Sequence, residues 1–203
     1  EEIHNDSLFF IMVIFAVAVG YIMSFQAHIS NFASSIGVDI VKTGLVASVA
    51  SVTLIAGKFS MGFINDRFGL RMTILIYSLF GVVAAVIEII FTAFVLENSY
   101  AISIAIAFCL GALFAVPSTY TPIITRALFG SKMYNSVYSK IVMFYTFAMA
   151  IGSTINGILY DVFESYFPIL VIIGIMSVLT IFLVYIATSK TTIRIDVYNR
   201  CEQ

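Results

Sequence analysis

Long apolar runs separated by short charged clusters dominate the chain. A helix needs about 20 apolar residues to cross a hydrocarbon core of about 30 Å. Six stretches meet that requirement: 8–30, 43–64, 72–96, 100–125, 141–160 and 167–188. Only the second and third hold an internal charge, Lys58 and Glu88. Strands of a membrane barrel alternate polar and apolar residues over about ten positions, and continuous runs such as 79–96 do not. The pattern predicts an all-α integral membrane protein with six transmembrane helices. Its connections at 65–71, 97–99 and 161–166 are short, and a polar tail follows at 189–203. That tail is expected to be disordered or to lie along the membrane surface.

Composition agrees with that reading. The 203 residues are 61% hydrophobic and 10% charged, against about 25% charged in ordinary soluble domains. A formal charge of -1 leaves no basic excess for a nucleic-acid backbone, so nucleic acid is not an expected partner. The position of the charges is more informative than their sum. Arg67, Arg71, Arg126, Lys132, Lys140, Lys190, Arg194 and Arg200 fall on one side of the predicted bundle, and Lys42 alone falls on the other. By the positive-inside rule both termini are cytoplasmic. Asp39, Glu97, Asp161 and Glu164 then face outward. Cys109 and Cys201 have no CxxC spacing or nearby histidine, so neither a disulfide framework nor a metal site is expected. No other cofactor is expected either. The chain opens on Glu1 without a signal peptide and is expected to be cut from a longer one.

The second connection carries Gly62, Asp66, Arg67, Gly69 and Arg71 in the pattern G-x-x-x-D-R-x-G-x-R. This resembles the signature loop of the major facilitator superfamily, in which the loop joins the second and third helices of a six-helix half on the cytoplasmic side. Position and side both match those read from hydropathy and charge. Gly62 is expected to let a neighbouring helix approach, Gly69 to permit a tight turn, and Asp66 to accept from arginine or sit at a helix N-terminus. The resemblance implies that this network latches the cytoplasmic helix ends in one access state. It also implies half of a twelve-helix fold, with an N-terminal six-helix half as partner in a plasma (bacterial inner) membrane.

Several further stretches resemble the second half of the oxalate:formate antiporter and monocarboxylate transporter branch. They are Gly57-Lys58-x-x-x-Gly62 in the second span, Phe114-x-x-Pro117 with Phe129-Gly130-Ser131-Lys132 around the fourth connection, and Gly152-x-x-x-x-Gly157-x-x-Tyr160-Asp161 in the fifth. In that branch an arginine at the position of Lys58 pairs with the substrate carboxylate. Lysine offers a point charge in place of a bidentate fork.

Lys58 lies about 22 Å from the outer end of its span and about 12 Å from the charged turn, at about 1.5 Å per residue. A lysine at that depth costs about 2.5–3.5 kcal/mol on insertion scales and calls for a partner or a wet cavity. Gly44, Ser48, Ser51, Ile55, Lys58, Gly62 and Asn65 share one helix face, and the stripe is expected to point inward. The alternative for Lys58 is snorkelling to the cytoplasmic headgroups. Tyr21 and Ser24 in the first span fall deep enough to line the substrate site or its outer gate, and Tyr145, Ser153 and Asn156 in the fifth are spaced to line a cavity or to glue helices. Oxalate-type members of the resembling branch carry a second cation in the corresponding helix, and no lysine or arginine lies in 141–160, so the resemblance implies a monocarboxylate in preference to a dicarboxylate. His28 at the outer end is a pH sensor or a plain interfacial residue. Pro117 and Pro122 predict a bent inner segment around Tyr120 and Thr121. Glu88 is the one carboxylate inside a span, and is read as a structural residue in preference to a proton carrier.

The favoured function is secondary active transport of a small organic anion by alternating access, as proton symport or anion exchange. A transporter of another small solute, or a non-transporting receptor or structural subunit, uses the same fold. Intramembrane hydrolysis is disfavoured, because the chain has only His4 and His28 and neither H-E-x-x-H nor G-x-S-x-G. No phosphate-binding G-x-x-x-x-G-K-[ST] is present. No catalytic residue is assigned.

Overall fold

The computed structural model describes residues 2–94 and 99–201, with side chains over 7–93 and 99–190. Every regular element in it is helical. α1 spans Glu2–Ser24 and passes through a 3-10 turn at Phe25–His28 into α2, Ile29–Ser35. α3 spans Ile40–Phe94 and α4 Ser99–Leu113. A π-helical turn at Val116–Tyr120 leads into α5, Thr121–Phe163, and α6 runs Phe167–Cys201. Asp39 starts α3 as an N-cap, its Oδ1 accepting from the Val41 amide at 2.9 Å.

Four helical stretches are long and apolar enough to cross a membrane: Ser7–Ser35, Ile40–Ala93, Ser99–Phe163 and Phe167–Lys190. Six separate helices were expected. The difference lies in the second and third stretches, which have 54 and 65 residues and carry no terminating loop. In place of a loop, each has one glycine outside helical geometry, Gly69 at φ 78°, ψ 174° and Gly130 at φ 72°, ψ 172°.

The chain doubles back at both glycines. The Tyr77 hydroxyl donates to the Gly57 carbonyl at 2.9 Å and lies 2.7 Å from Ser60 Oγ. Residues 20 apart on a straight helix would be about 30 Å apart, so the limbs of α3 before and after Gly69 lie side by side. Likewise, α1 meets Tyr120 through Phe15, ring centroids 6.1 Å apart, and meets the Tyr145 backbone beside Gly20. Five residues on α1 thus touch points 25 residues apart, which a straight α5 would hold about 37 Å from each other.

Small residues set the helix pairs. In a bilayer, association depends on van der Waals contact and interhelical hydrogen bonds, which favours close backbone approach. The first limb of α3 meets α4 where Gly57 faces Ala112 and Ala115 and where Gly111 faces Ala50 and Thr53. Its second limb meets α6 at Gly81 beside Ser177, at Gly174 beside Ala85, and through a 2.8 Å hydrogen bond between the Ser78 and Thr180 hydroxyls. α1 meets α5 at Gly20 and at Gly152, which faces Ser24 and Tyr21.

The fourth span departs from regular helix where Pro117 and Pro122 predict a bend, at the π-helical turn, since each proline removes a backbone donor. Two expectations are corrected by this arrangement. The first span is not one continuous helix, because it passes through the 3-10 turn, where Phe25 is buried against Phe32 and Tyr166. The tail does not leave the helix at residue 189. α6 continues to Cys201, and no glycine or proline follows Gly174 to stop it. Glu97, and the side chains of His4, Arg194, Arg200 and Cys201, lie outside the described residues.

Candidate functional site

The buried face of the first limb of α3 consists of Thr43, Val46, Ala50, Thr53, Gly57 and Met61. Ser48, Ser51, Ile55 and Lys58 lie on the opposite face and are exposed. The polar stripe therefore points away from the chain's own core. The small residues Ala50 and Gly57 give the closest approach to α4 and claim the core-facing side. The apolar side chains flanking the stripe are exposed with it, among them Phe59 at 81% and Val52 at 66%.

Ser24 and Asn156 come together, but as a seam. The Asn156 amide donates to Ser24 Oγ at 2.9 Å, and Ser24 Oγ donates to the Tyr21 carbonyl at 2.6 Å. Both side chains are buried, Asn156 completely, and they join α1 to α5, while Ser24 also borders a pocket of about 370 Å³ with Met23, Met149 and Ser153. Burying an amide in hydrocarbon costs free energy wherever a polar atom lacks a partner, and Asn156 Oδ1 has none. Tyr145 is half-buried and donates to Met149 Sδ at 3.6 Å, while the Tyr21 hydroxyl is buried without a hydrogen-bond partner. None of these contacts brings Tyr21, Ser24, Tyr145 or Asn156 to Lys58.

The turn after the first limb of α3 has its own set of contacts. Gly69 holds a backbone conformation essentially limited to glycine. The Tyr120 hydroxyl donates to the Leu70 carbonyl at 2.9 Å. Arg71 Nε donates to Thr188 Oγ1 at 2.7 Å and Nη2 to Ser189 Oγ at 3.1 Å, and its guanidinium lies 4.8 Å from the Tyr185 ring centroid. The Tyr185–Ser189 stretch of α6 and the π-helical turn thus dock on the turn from two directions. Pattern reading missed Tyr185, Thr188 and Ser189, whose only signal was their place at the end of the last apolar run. Arg67 stacks beside its neighbour Phe68, and Asp66 is exposed.

Gly62 does not provide the helix approach expected of it, because a Cβ built there meets nothing within 4 Å. Gly57, five residues earlier, provides it. A Gly62→Ala substitution is therefore expected to leave thermal unfolding in detergent unchanged or slightly raised, since alanine is favoured over glycine in helices by about 1 kcal/mol. A clear loss of stability would place an undetected contact at this position.

Glu88 is 3% exposed, and its Oε2 has no hydrogen-bond partner. It shares the face of Gly81 and Ala85, which meets α6, and so lies apart from the Lys58 stripe.

At the other end of the molecule, His28 Nε2 is 3.2 Å from the Ser153 carbonyl and 3.3 Å from Ser153 Oγ. The ring lies among Phe25 and Tyr166. Among the described residues, no group of three or more His, Cys, Asp or Glu is placed to hold a metal ion.

Comparison with known proteins bears on the chain as a whole. A family model described as Major Facilitator Superfamily matches residues 8–196, nearly the full length. No curated protein matches the sequence. Members of that family are secondary transporters and not enzymes, which agrees with an all-helical chain of long apolar spans in which no catalytic constellation was found by sequence. The glycine-broken helices, the docked signature turn and the family match lead to one conclusion: the chain is a multi-pass membrane protein that belongs to the Major Facilitator Superfamily.

Proposed function

We propose that the chain forms one six-span half of a secondary transporter for a small organic anion, a monocarboxylate in preference to a dicarboxylate. In this reading both ends are cytoplasmic, in a plasma (bacterial inner) membrane, and the half rocks against a second six-span half. The six crossings follow if each of the two longest apolar stretches crosses twice, reversing at Gly69 and Gly130. An even number of crossings agrees with the 2.6 Å hydrogen bond from Lys190 Nζ to Ser7 Oγ, which joins the last apolar stretch to the first.

One observation carries the substrate reading. Lys58 stands exposed in mid-span with Ser48 and Ser51, on a face that this chain's own core does not cover. A cation at that depth costs about 2.5–3.5 kcal/mol unless it meets water or an opposite charge. A cavity between two halves supplies the water, and a substrate carboxylate supplies the charge. Tyr21, Ser24, Tyr145 and Asn156 act behind that surface by holding α1 and α5 together, while Gly62, Asp66, Arg67, Gly69 and Arg71 belong to the cytoplasmic latch. Coupling is to protons or to a counter-transported anion.

The test is uptake of labelled lactate into vesicles containing the complete transporter. Lys58→Ala is expected to lower uptake by about a hundredfold, the loss of a charge-assisted contact of about 1.5–3 kcal/mol, and Lys58→Arg is expected to restore much of it. Undiminished uptake by Lys58→Ala would remove this residue from binding.

A further inference from the structure

A pocket lies outside the Lys58 face, at the end of the molecule where α2, the end of α5 and the start of α6 converge. It has a volume of about 520 Å³ and is lined by His28, Asn31, Ser34, Ser35, Gly157, Tyr160, Asp161 and Tyr166. That volume is within the range of small-molecule sites. None of these residues contributes to the signature turn or to the polar stripe of α3.

Its walls are held rigidly. The Tyr160 and Tyr166 rings stack at 4.5 Å with planes 30° apart, and Tyr166 packs edge-on against Phe25 and Phe32. His28 is tied to Ser153 across the helix interface. Glu164, at φ 51° in the left-handed region, turns the chain between the two tyrosines. The floor at Gly157 is bare, since a Cβ there would meet nothing within 4 Å. Burial, then the nearby Tyr160 and Asp161 groups, push the Tyr166 phenol above its ordinary value.

Charge selects the ligand. Asp161 is the one carboxylate in the lining, and no lysine or arginine is among these residues. Lys42, in the first turn of α3, lies over the Tyr100 ring at 5.3 Å. A carboxylate beside aromatic rings attracts a cation through both its charge and the ring quadrupole. An inorganic divalent ion would demand several carboxylate or carbonyl ligands, and the pocket supplies one acid among hydroxyls and amides. We propose that this pocket is a binding site for a small organic ammonium ion, with Asp161 as counter-ion, Tyr160 as the aromatic wall backed by the buried Tyr166, and Asn31 and Ser34 as polar rim. It is separate from the proposed anion path and does not depend on it.

The test is equilibrium binding of labelled choline to the intact protein in lipid nanodiscs. Saturable binding at millimolar concentrations is expected, with lactate failing to compete. Asp161→Asn and Gly157→Leu should each weaken it by about tenfold or more, the first by removing the charge and the second by filling the floor. Gly157→Ala, which meets no neighbour, reports whether changing the glycine alone matters and should bind choline nearly normally. Unchanged thermal unfolding of the variants ensures that a loss reports the pocket and not the fold. Absence of saturable choline binding, undiminished binding by Asp161→Asn, or binding of the neutral polyol sorbitol in its place would each overturn the proposal.

Discussion

Replacing Gly111 with valine is expected to leave little or no monodisperse protein after detergent extraction. A Cβ at this position would fall on the Ala50 carbonyl oxygen and within 2.9 Å of Ala50 Cα and Thr53 Cβ. Those atoms belong to the helix facing α4, and two of them are backbone, so neither side gives way by rotating a side chain. Overpacking a well-filled interior costs about 1–3 kcal/mol even where side chains adjust, and here the helices themselves must separate. Separation removes the close contact on which association in a bilayer depends. Gly44→Val is the control, because nothing lies within 4 Å of a Cβ there. Size-exclusion profiles and thermal unfolding of the two variants decide the matter. A Gly111→Val protein that elutes and melts like the parent would mean that α4 does not approach Ala50 so closely.

The second large effect concerns the reversals. Gly69→Val and Gly130→Val each place a β-branched side chain at φ near 75° with ψ near 173°, a region that only glycine occupies comfortably. The strain is about 1–3 kcal/mol at each site. For a chain of this length each kcal/mol corresponds to about 2–4 °C in melting temperature. Each single variant should therefore melt several degrees lower, and the double variant lower still. A Gly69→Val protein that melts with the parent would show that the reversal tolerates another backbone path. No Cβ clash contributes, since both glycines are open to space, so the measurement isolates backbone strain.

These two glycine effects differ in how far a linear reading reaches them. The reversal at Gly69 was legible because its requirement is local: a charged cluster between two apolar runs, with a glycine where the chain must turn. Lys58 was legible for a similar reason, since a lysine deep in an apolar run stands out without any knowledge of its neighbours. The Gly111–Ala50 contact was not legible. It joins residues 61 positions apart, and each looks ordinary in its own helix. The same applies to Ser24 and Asn156, which stand out as polar residues at depth without showing that they pair with each other. Only the packing of α1 on α5 shows that the amide spends its donor on the hydroxyl. The polar stripe of α3 shows two criteria acting on different faces. Hydropathy distinguishes faces by their affinity for water, whereas helices in lipid choose their contact faces by closeness of approach. Gly57 therefore outranked Lys58 in deciding which face turns toward α4.

The docked turn adds a constraint on motion. Tyr120 reaches Leu70 from a π-helical turn that contains Pro117, and Arg71 reaches Thr188 and Ser189 at the end of the last apolar stretch. A conformational change that moves this turn must break or carry both contacts. The segment best suited to yield is the π-helical turn, where the regular i to i−4 ladder is already interrupted.

The contact between Lys190 and Ser7 has a meaning for descent as well as for stability. A bundle whose last span ends beside the start of its first returns the chain to the face from which it set out. A second copy of the same unit, joined after Lys190 by a modest linker, would then begin on that same face and thread the bilayer in the same sense. Duplication in tandem is thus open to this architecture without inverting either copy, whereas a bundle with an odd number of crossings would have to turn one copy upside down.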